Sequence, residues 1–214
     1  MVTVAAYIDG FNLYYGMKRK FGRSYHWLDV AGLVRRLRPG DEVVTVKYFT
    51  TIVRGEPEAS ANQINYVDAL KAYSGGVLEV QVGWFRRRKL APCRDCGQHW
   101  QCCCPRRPRS YEEKETDVAL AAAMVEDAAM GVADLALLIS ADSDFAPAVA
   151  AVKRIRPELP VILGMPPGNL QPHKRFADVG FFSINETSLR QSQLPERVYD
   201  PLSSKVRRRP EKWR

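Results

Sequence analysis

Residues 135–140, Leu-Ala-Leu-Leu-Ile-Ser, are almost wholly apolar with no alternation of polar positions. Such a run suits a strand buried on both faces of a parallel sheet, and that sheet needs helices on either side. The rest of the chain supplies them in turn. Residues 2–8 are a short β-branched run that delivers Asp9 to a turn at Gly10, ahead of a helical pattern over 11–21. Asp29 is placed to cap a helix that ends by Pro39-Gly40, and 43–53 reads as a second strand. Pro57 opens a helix to about Tyr73 with Ile64, Val67 and Leu70 on one face, and Gly75-Gly76 breaks it before a strand at 77–85. A helix over 116–129 follows, with Val118, Ala121, Val125 and Ala128 as its stripe, and then the apolar strand. Helix 145–155, strand 160–165, a short helix near 170–177 and strand 180–184 complete the alternation, and a last helix carries Leu189 and Leu194. The expected fold is α/β, one globular domain over 1–194 with a mainly parallel sheet flanked by helices. With 214 residues and 46% hydrophobic side chains the chain can bury one sizeable core. Residues 195–214 are polar and basic and are expected to be a disordered tail.

Residues 86–111 break the rhythm with arginines, prolines and cysteines and read as an insert. All five cysteines lie between Cys93 and Cys104. The first residues meet Asp9 early and carry no basic leader, so a cytoplasmic location with reduced thiols is expected, which favours metal binding over disulfides. Cys93 and Cys96 have the spacing of half a zinc ribbon, and His99, Cys102 and Cys104 can supply the other half of a Zn²⁺ site. Three consecutive cysteines do not easily all face one ion, so a cluster of free thiols is the alternative. His26 and His173 lack any partner pattern and read as surface or packing residues. No apolar run approaches the roughly 20 residues that cross a bilayer, so no membrane partner is expected.

The formal charge of +8 is concentrated in Arg86-Arg87-Arg88-Lys89, in Arg106, Arg107 and Arg109, and in 205–209. Such blocks suit a polyanion, although a solvated basic surface reads the same way. Trp84, Phe85, Trp100 and Tyr111 lie among them, as aromatic faces do where single-stranded bases stack, or as core residues at a strand end. A Gly-rich phosphate loop of Rossmann or Walker type is absent, which argues against a nucleotide cofactor.

In an open parallel sheet the functional crevice lies beyond the carboxyl ends of the strands. Asp9 and Asp142 each close a strand there, Asp144 follows two residues later, and Asp117 lies in the first turn of the preceding helix. Asp144 can instead cap a helix, and Asp117 can simply favour a helix dipole. Converging carboxylates repel one another, and a hard divalent ion, Mg²⁺ or Mn²⁺, resolves that repulsion while activating water against a phosphate. A haloacid-dehalogenase-type phosphatase would need a second aspartate at position 11, which is Phe11.

Three segments, Tyr7-Ile8-Asp9-Gly10-Phe11-Asn12-Leu13, Glu113-Lys114-Glu115-Thr116-Asp117-Val118 and Ser140-Ala141-Asp142-Ser143-Asp144-Phe145, resemble in order the motifs of NYN domains, the LabA-like branch of PIN-like nucleases. The resemblance spans about residues 2–185, and three separated motifs are more specific than one. It implies a Rossmann-like three-layer sandwich and a Mg²⁺- or Mn²⁺-dependent endoribonuclease acting on single-stranded or structured RNA. The family's acidic positions fall on Asp9, Asp117, Asp142 and Asp144 as catalytic and metal-holding residues. Its asparagine falls on Asn12, which would position a metal-bound water or a phosphate and otherwise reads as an ordinary turn residue. Ser140 and Ser143 would donate hydrogen bonds to the ligand, although serine beside aspartate is common in any turn. Independently of the resemblance, the basic blocks flank an insert that enters the domain just before Asp117, so Arg86, Arg87, Arg88, Arg106 and Arg107 are expected to rim the acidic pocket and engage the phosphate backbone. Ala141 departs from the glycine or asparagine that relatives often carry. A non-catalytic RNA-binding regulatory module with the same acidic pocket is the alternative function.

Overall fold

A computed structural model of the protein describes residues 1–87, 93, 95–98 and 111–214, and the side chains of all of these except 85–87 and 111–114. Strands β1 (Thr3–Asp9), β2 (Glu42–Thr51), β3 (Leu78–Arg87), β5 (Leu135–Ile139), β6 (Val161–Met165) and β7 (Gly180–Ser183) pair in parallel, and β4 (Tyr111–Lys114) joins β3 antiparallel. The sheet order is β4-β3-β2-β1-β5-β6-β7. The chain thus winds outward on one side of β1, returns, and winds outward on the other, so the topological switch point lies between β1 and β5.

Successive residues of a strand face opposite sides, and both sides of this sheet are covered. On one side Val4, Ala6 and Ile8 of β1 and Leu135, Leu137 and Ile139 of β5 pack with α1 (Gly10–Phe21), α2 (Val30–Leu37), α3 (Pro57–Tyr73) and α6 (Glu186–Gln191). On the other, Ala5, Tyr7, Ala136 and Leu138 pack with α4 (Thr116–Met130) and α5 (Ala146–Ile155). Every residue of β5 is buried, which is why its sequence shows no alternation. The architecture is the expected three-layer α/β sandwich.

Helix α4 turns a different face inward from the one its apolar spacing suggests. Val118 is exposed, whereas Leu120, Ala123, Met124 and Asp127 are buried; α3 keeps its expected face, with Val67 and Leu70 buried and Ile64 exposed at its edge. In an alanine-rich helix several stripes are nearly equivalent, and a buried ion pair selects among them. Asp127 accepts from the Tyr7 hydroxyl at 2.9 Å and from Lys47 Nζ at 2.8 Å, tying α4 to β1 and β2. Strand β4 was also not legible in the sequence. Its Tyr-Glu-Glu-Lys run lacks apolar alternation, as suits a charged edge strand, and it carries the sheet beyond the start of the insert.

Residues 195–214 are ordered rather than a disordered tail. Strands β8 (Arg197–Asp200) and β9 (Lys205–Arg208) form an antiparallel hairpin against α3, followed by a short 3-10 turn at Glu211–Trp213. Low local hydrophobicity conceals this because the order comes from distant partners. Val198 joins the core, Arg207 pairs with Asp68 of α3 and with Asp200 at 2.9 Å each, and Asn65 Nδ2 donates to the Arg208 carbonyl at 2.8 Å. The Ser203 hydroxyl, followed by Arg207, lowers the Asp200 pKa from its ordinary 3.8 to about 2. A depressed carboxylate contributes stability above its unfolded pKa and loses it as pH falls through the folded value. Protection of 195–214 against hydrogen exchange, taken relative to the free-peptide rate at each pH, should therefore be high above about pH 4 and fall toward pH 2. Arg207→Ala should lower it already at neutral pH, and unchanged protection in that variant would count against the ion-pair anchor.

Candidate active site

Asp9 is the last residue of β1, 6% exposed, and its side chain caps α1. Its Oδ1 accepts from the Asn12 backbone N–H at 3.0 Å, and its Oδ2 accepts from Asn12 Nδ2 and from the Ser140 hydroxyl, both at 2.9 Å. Gly10 makes this junction possible, because a Cβ there would lie 2.5 Å from the Phe49 carbonyl oxygen on β2. The amino-terminal turn of α1 can therefore press against the sheet edge only with glycine after the aspartate.

The same network crosses the switch point. Asn12 Oδ1 accepts from the Ala141 N–H at 3.3 Å, and Ser140 Oγ accepts from the Asp142 N–H at 3.0 Å. Asp142 Oδ1 in turn accepts from the Asp144 N–H at 2.9 Å and caps the 3-10 turn Ser143–Phe145. Asp9, Asn12, Ser140, Ala141 and Asp142 are thus held as one unit from two strands more than 120 residues apart. Burial pushes the Asp9 pKa up, the hydrogen bonds from Asn12 and Ser140 oppose that shift, and the Asp142 charge adds to it.

The structure brings Asp9, Asn12, Ser140 and Asp142 together. Asp144 is exposed and is joined to Asp142 through its backbone, and Asp117 is exposed on the first turn of α4, which packs against the 143–145 turn. Among the described residues no three His, Cys, Asp or Glu side chains are grouped closely enough to hold a metal ion, so the four aspartates do not form one cluster. The Asp9–Asp142 pair nonetheless fits a divalent cation. Its donors are hard oxygens, Asp9 carries a charge that burial disfavours, and Mg²⁺ commonly takes one or two carboxylates with water completing its shell. Arg175, which sequence reasoning missed, donates to the Ser143 carbonyl at 3.3 Å and sets a cation beside the turn. It lies between strands in a segment without periodicity, and only the fold brings it there.

Arg86 and Arg87 continue β3 past its pairing with β2, opposite Glu112 and Tyr111. Arg88, Arg106 and Arg107, and His99, Cys102 and Cys104 of the expected zinc set, lie outside the described residues. Cys93 and Cys96 sit in a tight turn in which the Gly97 N–H donates to the Cys93 carbonyl at 2.8 Å, with Gly97 at φ 69°. Among the described residues no helix is long and apolar enough to cross a membrane.

Comparison with known proteins adds three findings. In Pseudomonas putida strain S16, 6-hydroxy-3-succinoylpyridine 3-monooxygenase HspA is 29% identical over an alignment of 181 positions, covering 69% of this chain and 54% of that protein. The chain spans about half the length of this relative. The crystal structure of a protein of unknown function from Vibrio parahaemolyticus superposes with a TM-score of 0.54 at 19% identity, covering 86% of this chain and 94% of that one, a likeness of fold alone. A family model, that of the NYN domain, matches residues 3–185 and so takes in the whole Asp9–Asp142 network; the chain belongs to the NYN-domain family and has its nuclease-like fold.

Proposed function

We propose that the protein is a metal-dependent endoribonuclease that hydrolyses RNA phosphodiester bonds at the Asp9–Asp142 edge. The observation that carries this reading is the buried Asp9 carboxylate, held by Asn12 and Ser140 at the switch point of the sheet with the Asp142 charge beside it. Asp9 and Asp142 would hold Mg²⁺ or Mn²⁺, which supplies polarisation of a phosphoryl oxygen and an activated water when bound. Asn12 fixes the Asp9 carboxylate and the Ala141 backbone at once, so the two strand ends keep one geometry. Ser140 holds Asp9 through its hydroxyl proton and Asp142 through its lone pair. Asp117, Asp144 and Ser143 form the outer side of the same edge, and Arg175 places positive charge where a phosphate would approach. The decisive test incubates labelled RNA with the protein and Mn²⁺ or Mg²⁺, with a chelator as control. Cleavage that appears with the ion and stops with the chelator supports the reading. RNA bound but left intact with both ions would instead establish the non-catalytic binding module.

The Pseudomonas putida relative suggests a second reading, because its name assigns it the oxygenation of a substituted pyridine and an aromatic-lined cavity here is bordered by Gly10 and Phe11, the residues that follow Asp9. That reading expects product from 6-hydroxy-3-succinoylpyridine and no metal-dependent RNA cleavage.

The backbone of Arg86 and Arg87 extends past the carboxyl edge that carries Asp9, so these cations are proposed to meet the RNA backbone. Replacing both with alanine should flatten the slope of log affinity against log salt by about 1.4, roughly 0.7 for each single-strand phosphate neutralised. An unchanged slope would place the phosphate contacts elsewhere.

A further inference from the structure

Beside the acidic edge, between α1, the carboxyl end of β2, α3 and the last residues of the chain, lies a cavity of about 520 Å³. That size falls within the roughly 300–1,000 Å³ of small-molecule sites. Gly10 and Phe11, the two residues that follow Asp9, line it. Its walls include Tyr14, Tyr48, Tyr66 and Trp213, with the Trp213 ring 5.7 Å from that of Tyr66 and 5.7 Å from His26.

Two buried polar side chains in this lining have no hydrogen-bond partner among the described residues: His26, 4% exposed, at both ring nitrogens, and Thr51, 1% exposed, at its hydroxyl. A buried polar group left unpaired is unfavourable, and in a cavity it points to a ligand that pairs with it. Burial, and then Lys18 and Arg23, lower the His26 pKa to about 4, so near neutral pH the ring offers one N–H donor and one nitrogen acceptor. Lys18, Arg23 and Lys212 exceed Glu56 and Glu58 in the lining, and Lys212 is paired with Glu58 at 2.7 Å. Flat aromatic walls, a neutral donor and acceptor, a hydroxyl and surplus positive charge together suit a planar nitrogen heterocycle that carries a phosphate.

We propose that this cavity binds a nucleobase, with His26 and Thr51 hydrogen-bonding its polar edge and the surrounding cations facing the attached phosphate. For a base within RNA this rests on the endoribonuclease reading, since the cavity then receives a base next to the phosphate at Asp9. Free nucleotide and RNA share the chemistry, and the arms of the test separate them.

Calorimetric titration of the full chain, as the Asp142→Asn variant so that RNA stays intact, compares AMP, UMP, a short single-stranded RNA and an abasic RNA of equal length. One nucleotide per chain should bind, ribose 5-phosphate should not, and the abasic RNA should bind at least about tenfold more weakly than the RNA, equivalent to about 1.4 kcal/mol. Thr51→Val keeps the shape and removes an unpartnered hydroxyl, so it should weaken AMP or UMP about tenfold without lowering the melting temperature. Trp213→Ala is the second variant and should weaken the same ligands with the sheet intact by circular dichroism. Nucleotide affinity unmoved by both variants, or abasic RNA binding as tightly as RNA, overturns the proposal. So does binding of 6-hydroxy-3-succinoylpyridine in place of any nucleotide. RNA cleavage by the wild-type chain without a base preference sinks the cavity assignment alone. Nucleotide binding that depends on Thr51, with no RNA cleavage by the wild-type chain, upholds the cavity and sinks the endoribonuclease.

Discussion

Asp142→Asn should abolish Mn²⁺-dependent RNA cleavage, lowering kcat/KM at least about 100-fold, equivalent to about 2.7 kcal/mol of transition-state stabilisation. The substitution removes the charge proposed to hold the metal and little else. The asparagine Oδ1 still accepts from the Asp144 N–H, as the carboxylate does at 2.9 Å, so the turn after β5 keeps its cap. Stability without metal should be retained or rise, because the Asp142 charge works against ionised Asp9. The sign follows from linkage. A carboxyl whose pKa is raised on folding binds its proton more tightly in the folded state, so its effect on stability worsens as pH climbs from the ordinary 3.8 through the raised value. The metal-free wild type should therefore lose melting temperature over that window, and Asp142→Asn should lose less of it. Asp9→Asn should be equally inactive but less stable, because its amide group presents hydrogens toward Asn12 Nδ2 and the Ser140 hydroxyl, both of which donate to Asp9. Cleavage by purified Asp142→Asn at the wild-type rate would remove these aspartates from the chemistry.

The largest loss of stability should come from Asp127→Ala, about 3–5 kcal/mol by urea unfolding. Asp127 and Lys47 form an ion pair at 2.8 Å, with 7% and 14% of their side chains exposed, and the Tyr7 hydroxyl donates to the same carboxylate at 2.9 Å. Burial, followed by the Asp127 charge and hydrogen bond, raises the Tyr7 pKa, so the phenol stays protonated and remains a donor. Removing Asp127 leaves a buried ammonium and a buried hydroxyl without their acceptor, which costs more than the pair itself contributes. Replacing Asp127 and Lys47 together with Leu and Met should recover much of the loss, since the unpaired charge then disappears. Because α4 carries Asp117 and packs against the 143–145 turn, the single variant should also weaken RNA cleavage at temperatures where it remains folded. A change below about 1 kcal/mol in the single variant would mean that packing of Leu120, Ala123 and Met124 alone holds the helix.

Much of the site was legible because a parallel sheet obeys simple rules. A strand covered on both faces must be apolar throughout, as Leu135–Ile139 is, and parallel strands end on one edge, so Asp9 and the residues after β5 had to approach each other. The acidic motifs also carried the family resemblance, which the match over residues 3–185 bears out. What they could not carry was distance. Asp117 and Asp144 share the edge but remain exposed, because their positions depend on how α4 and the Ser143–Phe145 turn pack.

The sequence by itself determined the alternation of elements, the central strand, the Asp9-Gly10 junction and the sheet edge that carries the aspartates, since each follows from local spacing or from the rules of a covered sheet. Only the tertiary structure decided which face of α4 turns inward, that 195–214 folds back on α3, and that His26 and Thr51 line a cavity without partners among the described residues. These features rest on pairs far apart in the chain: Tyr7 with Asp127, Asn65 with Arg208, and Tyr66 with Trp213. Local periodicity reports which side chains prefer burial. It does not report which distant group will meet them, and that meeting is settled by the free energy of the assembled core.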